Sequence, residues 1–298
     1  MFLFTMPGDV ESMSFDPRWD VDENRTVVCN ASFDQYSAEP ISDGEGGLIV
    51  VWVDYRSDDY EDIYIQRLSA DGTPLWEENG ILLSDDNKDQ EDPQIISDGS
   101  GGAIVLWSGS TGFGNDLFAQ RVGQNGAILW GEEGLTVCGA ENGQMYTKMI
   151  SDGSGGAIFT WGDMRDIGYD IYAQRIDGDG GLIWEDNGTA ICTIVGDQAR
   201  PEITSDGAGG AIITWRDTRA VASDIYTQRV NQDGEVQWTE DGVEICSGFG
   251  MHRHPRISGD GSGGAVITWQ DGRDGKNIYA QRVNASGAPL WGENGKAV

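Results

Sequence analysis

One string recurs along the chain: "SDGEGGLIVVW" at 42–52, "SDGSGGAIVLW" at 97–107, "SDGSGGAIFTW" at 151–161, "SDGAGGAIITW" at 205–215 and "GDGSGGAVITW" at 259–269. With the aspartate as marker, Asp43, Asp98, Asp152, Asp206 and Asp260 stand 55, 54, 54 and 54 residues apart. Self-similarity at a fixed period means one supersecondary unit that cannot bury its apolar face alone and must stack on copies of itself. The 298 residues are therefore read as one repeated architecture and not as several unrelated domains.

Each unit reads as four short extended segments and no helix, because its apolar runs are β-branched and aromatic and keep no 3.6-residue period. In the fourth unit these are "PEITS", "GAIITWRD", "DIYTQRV" and "GVEIC". "SDGAGG" joins the first two, where Asp and Gly supply the side-chain bonding and positive φ of a tight hairpin. The second segment is apolar on both faces and needs cover from other sheets. Four-stranded antiparallel blades of about 54 residues, repeated five times around an axis, predict an all-β, five-bladed β-propeller. A β-solenoid competes, but its coils are shorter and lack these hairpin signals. Ten of the eleven tryptophans fall at two repeat positions, 52/107/161/215/269 and 76/130/184/238/291, and are read as wedges between blades.

The ends of the repeat suggest how the structure closes. Cys29 precedes Asp43 by 14 residues, as Cys192 precedes Asp206, so the chain enters on an outer strand. "LWGENGKAV" stops one residue short of the corresponding cysteine, so residues 25–30 are expected to supply the outer strand of the last blade. Residues 1–18 are read as a tail or linker and 19–298 as a single propeller domain. Cys29, Cys138, Cys192 and Cys246 occupy one repeat position, too far apart for disulfides, and are expected to be buried free thiols.

With 50 acidic against 19 basic residues, a formal charge of −31 disfavours nucleic acid and anionic lipid as partners. No stretch approaches the roughly 20 apolar residues of a membrane span, so no membrane insertion is expected. "MFLFTMPGDVES" lacks the basic region and long apolar run of a signal peptide. A trimmed secreted or cell-surface chain, expected to be a monomer, is preferred to a cytoplasmic one.

The hairpins "SADGTPLW" (69–76), "GQNGAILW" (123–130), "DGDGGLIW" (177–184), "NQDGEVQW" (231–238) and "NASGAPLW" (284–291) resemble the Asp box, or BNR repeat, of sialidase-like β-propellers. Ser69, Asp71, Gly72 and Trp76 match best; the glycine is one place early and the other copies lack the serine. The resemblance implies a turn between third and fourth strands. The box is not a catalytic site in that family, whose fold has six blades, so no catalytic residue is carried over.

Function is sought where the copies differ. The "SDGxGG" and "DG" turns hardly vary, whereas the connections before the innermost strand and after the second strand vary freely. Loops without a packing duty are where binding concentrates. The candidate ligand-binding residues there are Gln35, Tyr36, Gln90, Gln144, Tyr146, Gln198, Arg200, His252 and His254. The Asp-x-Arg pairs (54/56, 163/165, 217/219, 271/273) and the Gln-Arg pairs of the "DIYAQR" strands recur too regularly for a site and are read as structural. His252 and His254 share a face if the segment is extended, but two ligands make no closed metal site. Aspartate-rich "SDDNKDQED" and "DYRSDDYED" offer carboxylates for Ca²⁺, against the simpler reading of a solvated acidic rim. No cofactor and no resident metal are expected.

The preferred function is a non-enzymatic propeller that binds a glycan or protein partner on its variable loops. One alternative is a sialidase-like glycoside hydrolase, which needs two carboxylates roughly 5 to 9.5 Å apart; Asp34, Asp89, Glu91 and Asp197 are the acids nominated. A second is an architectural module of a longer surface protein.

Overall fold

The computed structural model describes residues 3–5, 25–57, 59–84, 88–112 and 114–298. They form five four-stranded antiparallel sheets and, among the described residues, no helix. The first sheet takes Gln35–Ser42, Leu48–Asp54, Asp62–Leu68 and Ile81–Leu82; the second takes Gln90–Ser97, Ala103–Ser110, Asn115–Val122 and Leu135–Cys138. The third is built from Gln144–Ser151, Ala157–Asp163, Asp170–Ile176 and Thr189–Cys192, and the fourth from Gln198–Ser205, Ala211–Asp217, Asp224–Val230 and Val243–Cys246. The fifth comprises Arg253–Gly259, Ala265–Asp271, Asn277–Val283 and Lys296–Ala297. In each sheet the strands lie in chain order. The fold is the all-β, five-bladed propeller class that the repeat predicts.

By contact the chain groups into two compact units, 1–109 with 120–134, and 110–119 with 135–298. In the first unit Ile49, Val50, Val51, Trp52 and Val53 are buried along one strand, on both of its faces. In the second, Ile158, Ala173, Trp184, Ile191 and Cys192 of the third sheet pack against Ile213, Trp215 and Val230 of the fourth. The cover that such two-faced strands require is the neighbouring blade. Burying a side chain the size of Trp215 contributes on the order of 3 kcal/mol.

The recurrent string has a polar purpose. Asp206 Oδ1 accepts hydrogen bonds from the amides of Ala208 at 2.7 Å and Gly210 at 2.9 Å, while Oδ2 accepts from Arg229 Nη2 at 2.8 Å. One carboxylate closes the first hairpin and ties it to the third strand. Pairs 43/67, 98/121, 152/175 and 260/282 repeat the tie. Burial works against the Asp152 carboxylate, but Arg175 and the amides of Ser154 and Gly156 outweigh it and hold its pKa below the usual range. The glutamine of each Gln-Arg pair secures the opposite end: Gln174 Nε2 donates to Glu185 O at 2.7 Å and its Oε1 accepts from the Trp184 amide at 3.1 Å. Trp184 in turn donates its indole N–H to Gln232 O of the next blade at 3.0 Å.

The closure differs from expectation. Arg25–Val27 pairs with Leu3–Thr5 and belongs to no blade. The fifth sheet takes its fourth strand from Lys296–Ala297, paired with Ala280 and Tyr279. Two residues suffice, because the first blade also makes its fourth strand from two, Ile81–Leu82. Val28 and Cys29 pack beside Val50, Trp52 and Leu68 of the first sheet. Apart from Leu3–Thr5, the tail expected over 1–18 lies outside the described residues.

Candidate functional site

The variable connections come together at one end of each blade. The amides of Tyr55, Met164 and Thr218, after second strands, donate to the carbonyls of Asp34, Gly143 and Asp197, before first strands. The amides of Gln90, Gln198 and His252 donate to Glu61, Tyr169 and Ser223 of the preceding blade.

Just inside, the Asp-x-Arg pairs are structural, as expected. Asp54, fully buried, accepts Trp52 Nε1 at 2.8 Å and Arg56 Nη2 at 2.6 Å; Arg56 also donates to Asn79 O at 2.8 Å and lies 3.6 Å over the Tyr64 ring. Cys29 Sγ completes the group, 3.4 Å from Arg56 Nη2. The set recurs around Asp163, Asp217 and Asp271. In the second blade Ser84, Gly109, Thr111 and Phe118 replace Cys, Asp, Arg and Tyr together. All four cysteines are buried and free, and burial pushes Cys138, Cys192 and Cys246 up to about 12.

The glutamine candidates face inward. Gln35, Gln90, Gln144 and Gln198 are each at most 7% exposed. Gln35 Nε2 donates to Ser32 O and Phe33 O, both at 3.1 Å, and Gln144 Nε2 to Ala140 O at 3.2 Å. The amides of Gln35 and Gln144 hold their own loops, whereas the buried Gln198 side-chain amide has no hydrogen-bond partner among the described residues. His252, the residue at this position in the last blade, is fully buried, whereas His254 is exposed. The two do not share a face, because the register breaks between Arg253 and Arg256 and His254 takes φ +54°.

That break recurs in every blade. Ser37, Asp92, Tyr146, Arg200 and His254 stand at one repeat position with φ between 51° and 58°. Each sits in a β-bulge, which re-aims side chains and is concentrated beside functional sites. In the second unit, the Arg200 guanidinium is 4.9 Å from the centre of the Tyr146 ring, and Tyr146 lies 5.5 Å from Tyr169.

In the first unit Asp92 and Glu61 hold the repeat positions of Arg200 and Tyr169, and Tyr36, Asp89 and Glu91 lie near them. Burial, then the neighbouring Glu61 carboxyl and the charges of Glu91 and Asp89, push the Tyr36 phenol well above its ordinary range. Burial, then the charges of Glu61, Asp92 and Asp89, raises the Glu91 carboxyl. Asp89 Oδ1 accepts from the Glu61 amide at 3.2 Å. Its counterpart Asp197 does the same for Tyr169, so part of the role of both acids is to shape a loop. Sequence reasoning counted Glu61 only among the acids of "DYRSDDYED" and did not nominate it for catalysis. Its signal is variation: Glu61, Asn115, Tyr169, Ser223 and Lys276 share one repeat position.

No family model matches the chain, and no curated protein matches it. Solved structures do. They include an α-L-arabinanase of Penicillium chrysogenum complexed with arabinobiose (TM-score 0.48, 11% identity, 88% of this chain and 91% of that one). A second is the GH93 α-L-arabinofuranosidase of Fusarium graminearum, also with arabinobiose (0.47, 12%, 84% and 78%). A third is a Dyadobacter fermentans protein of unknown function (0.46, 11%, 87% and 81%). The expectation of a non-enzymatic binding module is corrected on this finding, since the enzymes named are glycoside hydrolases, the alternative weighed above. At these values the likeness assigns no residue and no substrate. Among the described residues no helix is long and apolar enough to cross a membrane.

Proposed function

We propose that the chain is a glycoside hydrolase and that its reacting groups are Glu91 and Glu61, with Tyr36 beside the second. One observation carries the reading: Glu91, a carboxyl raised by its surroundings, stands among Glu61, Asp89 and Asp92. Glu91 is held toward its protonated form by burial and by Glu61, Asp92 and Asp89, as a general acid toward a glycosidic oxygen requires. Glu61, whose charge acts on both Glu91 and Tyr36, is the neighbouring carboxyl for the opposing role of base or nucleophile. Paired carboxyls in unequal roles are the working parts of glycoside hydrolysis. Asp89 and Asp92 add to the negative field that raises the Glu91 carboxyl.

The resemblance of Ser69, Asp71, Gly72 and Trp76 to an Asp box belongs to the same reading and concerns a turn, not the chemistry. A strongly acidic surface and an extended glycan as substrate suit a location outside the cell. The test is release of reducing sugar from a panel of polysaccharides and aryl glycosides. Glu91→Gln and Glu61→Gln are expected to lower turnover at least about 100-fold, and Arg200→Ala to leave it within a few-fold. Turnover that survives both glutamine variants, or a pure chain that hydrolyses nothing on the panel, overturns the reading.

A further inference from the structure

The Cys–Asp–Arg module occurs four times, at 29/54/56, 138/163/165, 192/217/219 and 246/271/273, and six residues after the cysteine stands Gln35, Gln144, Gln198 or, in the last copy, His252. The one exception changes the chemistry of its module. His252 is fully buried. Its Nδ1 lies 2.9 Å from Ser223 O and 3.4 Å from Asp224 Oδ1. A carbonyl oxygen only accepts, so Nδ1 carries the hydrogen, and a neutral ring must then turn the Nε2 lone pair the other way. There it meets Asp271 Oδ2 at 3.5 Å and has no hydrogen-bond partner among the described residues. A buried lone pair facing a buried carboxylate oxygen is repulsive unless Nε2 is itself protonated or a metal cation stands between them. Cys246 Sγ, 3.7 Å from Asp271 Oδ2, is the third donor, and donor atoms of all three residues lie within 4.8 Å of one another.

We propose that Cys246 Sγ, His252 Nε2 and Asp271 Oδ2 bind one Zn²⁺ ion. Sulfur, imidazole and carboxylate are the donors zinc prefers, and three protein ligands leave one position open. The carbonyl and carboxylate on Nδ1 are the outer partners that fix a metal-binding histidine in the required tautomer. As the sulfur–zinc bond forms, the Cys246 thiol gives its proton to solvent; nothing is oxidised or reduced.

Arg273 is the competing cation, with Nη2 at 2.6 Å from Asp271 Oδ2 and 3.1 Å from Cys246 Sγ. Trp269 Nε1 also donates to Asp271 Oδ2, at 2.9 Å. In the sister modules the arginine neutralises the site alone. In this one it lies nearer the sulfur, at 3.1 Å against 3.4, 3.5 and 3.3 Å, and farther from its other two partners. It stands 4.4 Å from its tyrosine ring, against 3.6, 3.8 and 3.7 Å in the others. It is 3.1 Å from its blade-end carbonyl, against 2.8, 2.7 and 2.8 Å. Its side chain is also the most exposed of the four, at 25%. Zinc binding requires its guanidinium to leave Asp271 Oδ2 and Cys246 Sγ.

The test uses the whole chain, stripped with a chelator and titrated with Zn²⁺ against a chromophoric competitor, then with Co²⁺. One equivalent is expected, with a thiolate-to-cobalt charge-transfer band and the intense visible bands of a four-coordinate ion. His252→Gln should weaken binding at least about 100-fold without lowering the unfolding midpoint, because glutamine occupies this position in every other blade. Cys192→Ser, in a sister module, should leave binding intact. The proposal is overturned if no equivalent is held against the competitor, if His252→Gln leaves the stoichiometry unchanged, or if the cobalt spectrum lacks the thiolate band. It is equally overturned if nuclear magnetic resonance shows His252 as an imidazolium that zinc does not displace.

Discussion

Removing Asp217 and Arg219 together should cost far less than the sum of removing each. Asp217 is fully buried and accepts Trp215 Nε1 at 2.9 Å, Arg219 Nε at 2.9 Å, Nη2 at 2.6 Å and the Arg219 amide at 2.8 Å. Arg219, with its side chain 17% exposed, also holds Asp241 O at 2.8 Å and lies 3.7 Å over Tyr226. Asp217→Ala strands a guanidinium and an indole N–H in the interior, at about 3–5 kcal/mol. Arg219→Ala strands a carboxylate that keeps two of its donors, at about 3 kcal/mol. Independent effects would add to roughly 6–8 kcal/mol. The double variant strands only the indole N–H and loses the ring contact, so about 3–5 kcal/mol is expected, a coupling of about 3 kcal/mol. Urea unfolding followed by tryptophan fluorescence and circular dichroism measures it, with coincidence of the two probes checked because a repeat chain need not unfold in one step. Costs that add to within about 0.5 kcal/mol would refute the shared-module reasoning. The second blade, with Gly109 and Thr111 at these positions, is the natural form of the double change.

Two further outcomes follow from the same packing. Asp170, 6% exposed, has its pKa raised to about 6 by burial and by the charges of Asp166 and Asp163. The unfolded chain ionises first, so this carboxyl subtracts stability as pH rises from about 4 to 6, up to about 3 kcal/mol. Asp170→Asn should therefore raise the melting temperature at pH 7 and not at pH 4; a gain equal at both would refute the assignment. A Cβ on Gly188, at φ +92°, would stand 2.5 Å from Trp161 Cη2, whereas one on Gly153, at φ +78°, meets nothing within 4 Å. Gly153→Ala should cost only its backbone term, about 1 kcal/mol, and Gly188→Ala at least about 2 kcal/mol more; equal costs in urea would contradict the packing described.

The 54-residue repeat was enough to read five blades, four strands apiece and the buried tryptophans, because hairpin chemistry and two-faced apolar strands are local and periodic. The candidate site was legible only in outline. Alternation along a strand placed His252 with His254, but the bulge that separates them is written in Ser37, Asp92, Tyr146, Arg200 and His254, none a glycine, so nothing local announces a positive φ. The recurring glutamines read as ligand-binding groups; they are buried instead, and those at 35, 90 and 144 donate to loop carbonyls before them. Glu61 was not singled out because Tyr36 lies 25 residues earlier and Glu91 lies in the next blade, so their meeting is tertiary. The closing strand was misplaced because the repeat count ignored that two residues suffice for an edge.

The assignment of Glu91 as proton donor is tested most directly by how its loss depends on the leaving group. On whichever glycoside the chain hydrolyses, the turnover of Glu91→Gln would be compared between the unactivated glycan and a dinitrophenyl glycoside of the same sugar. A departing dinitrophenolate needs no proton, so the variant should be slowed at least about 100-fold on the glycan and only a few-fold on the activated substrate. Equal losses on both would show that Glu91 holds the structure of the loop and donates no proton.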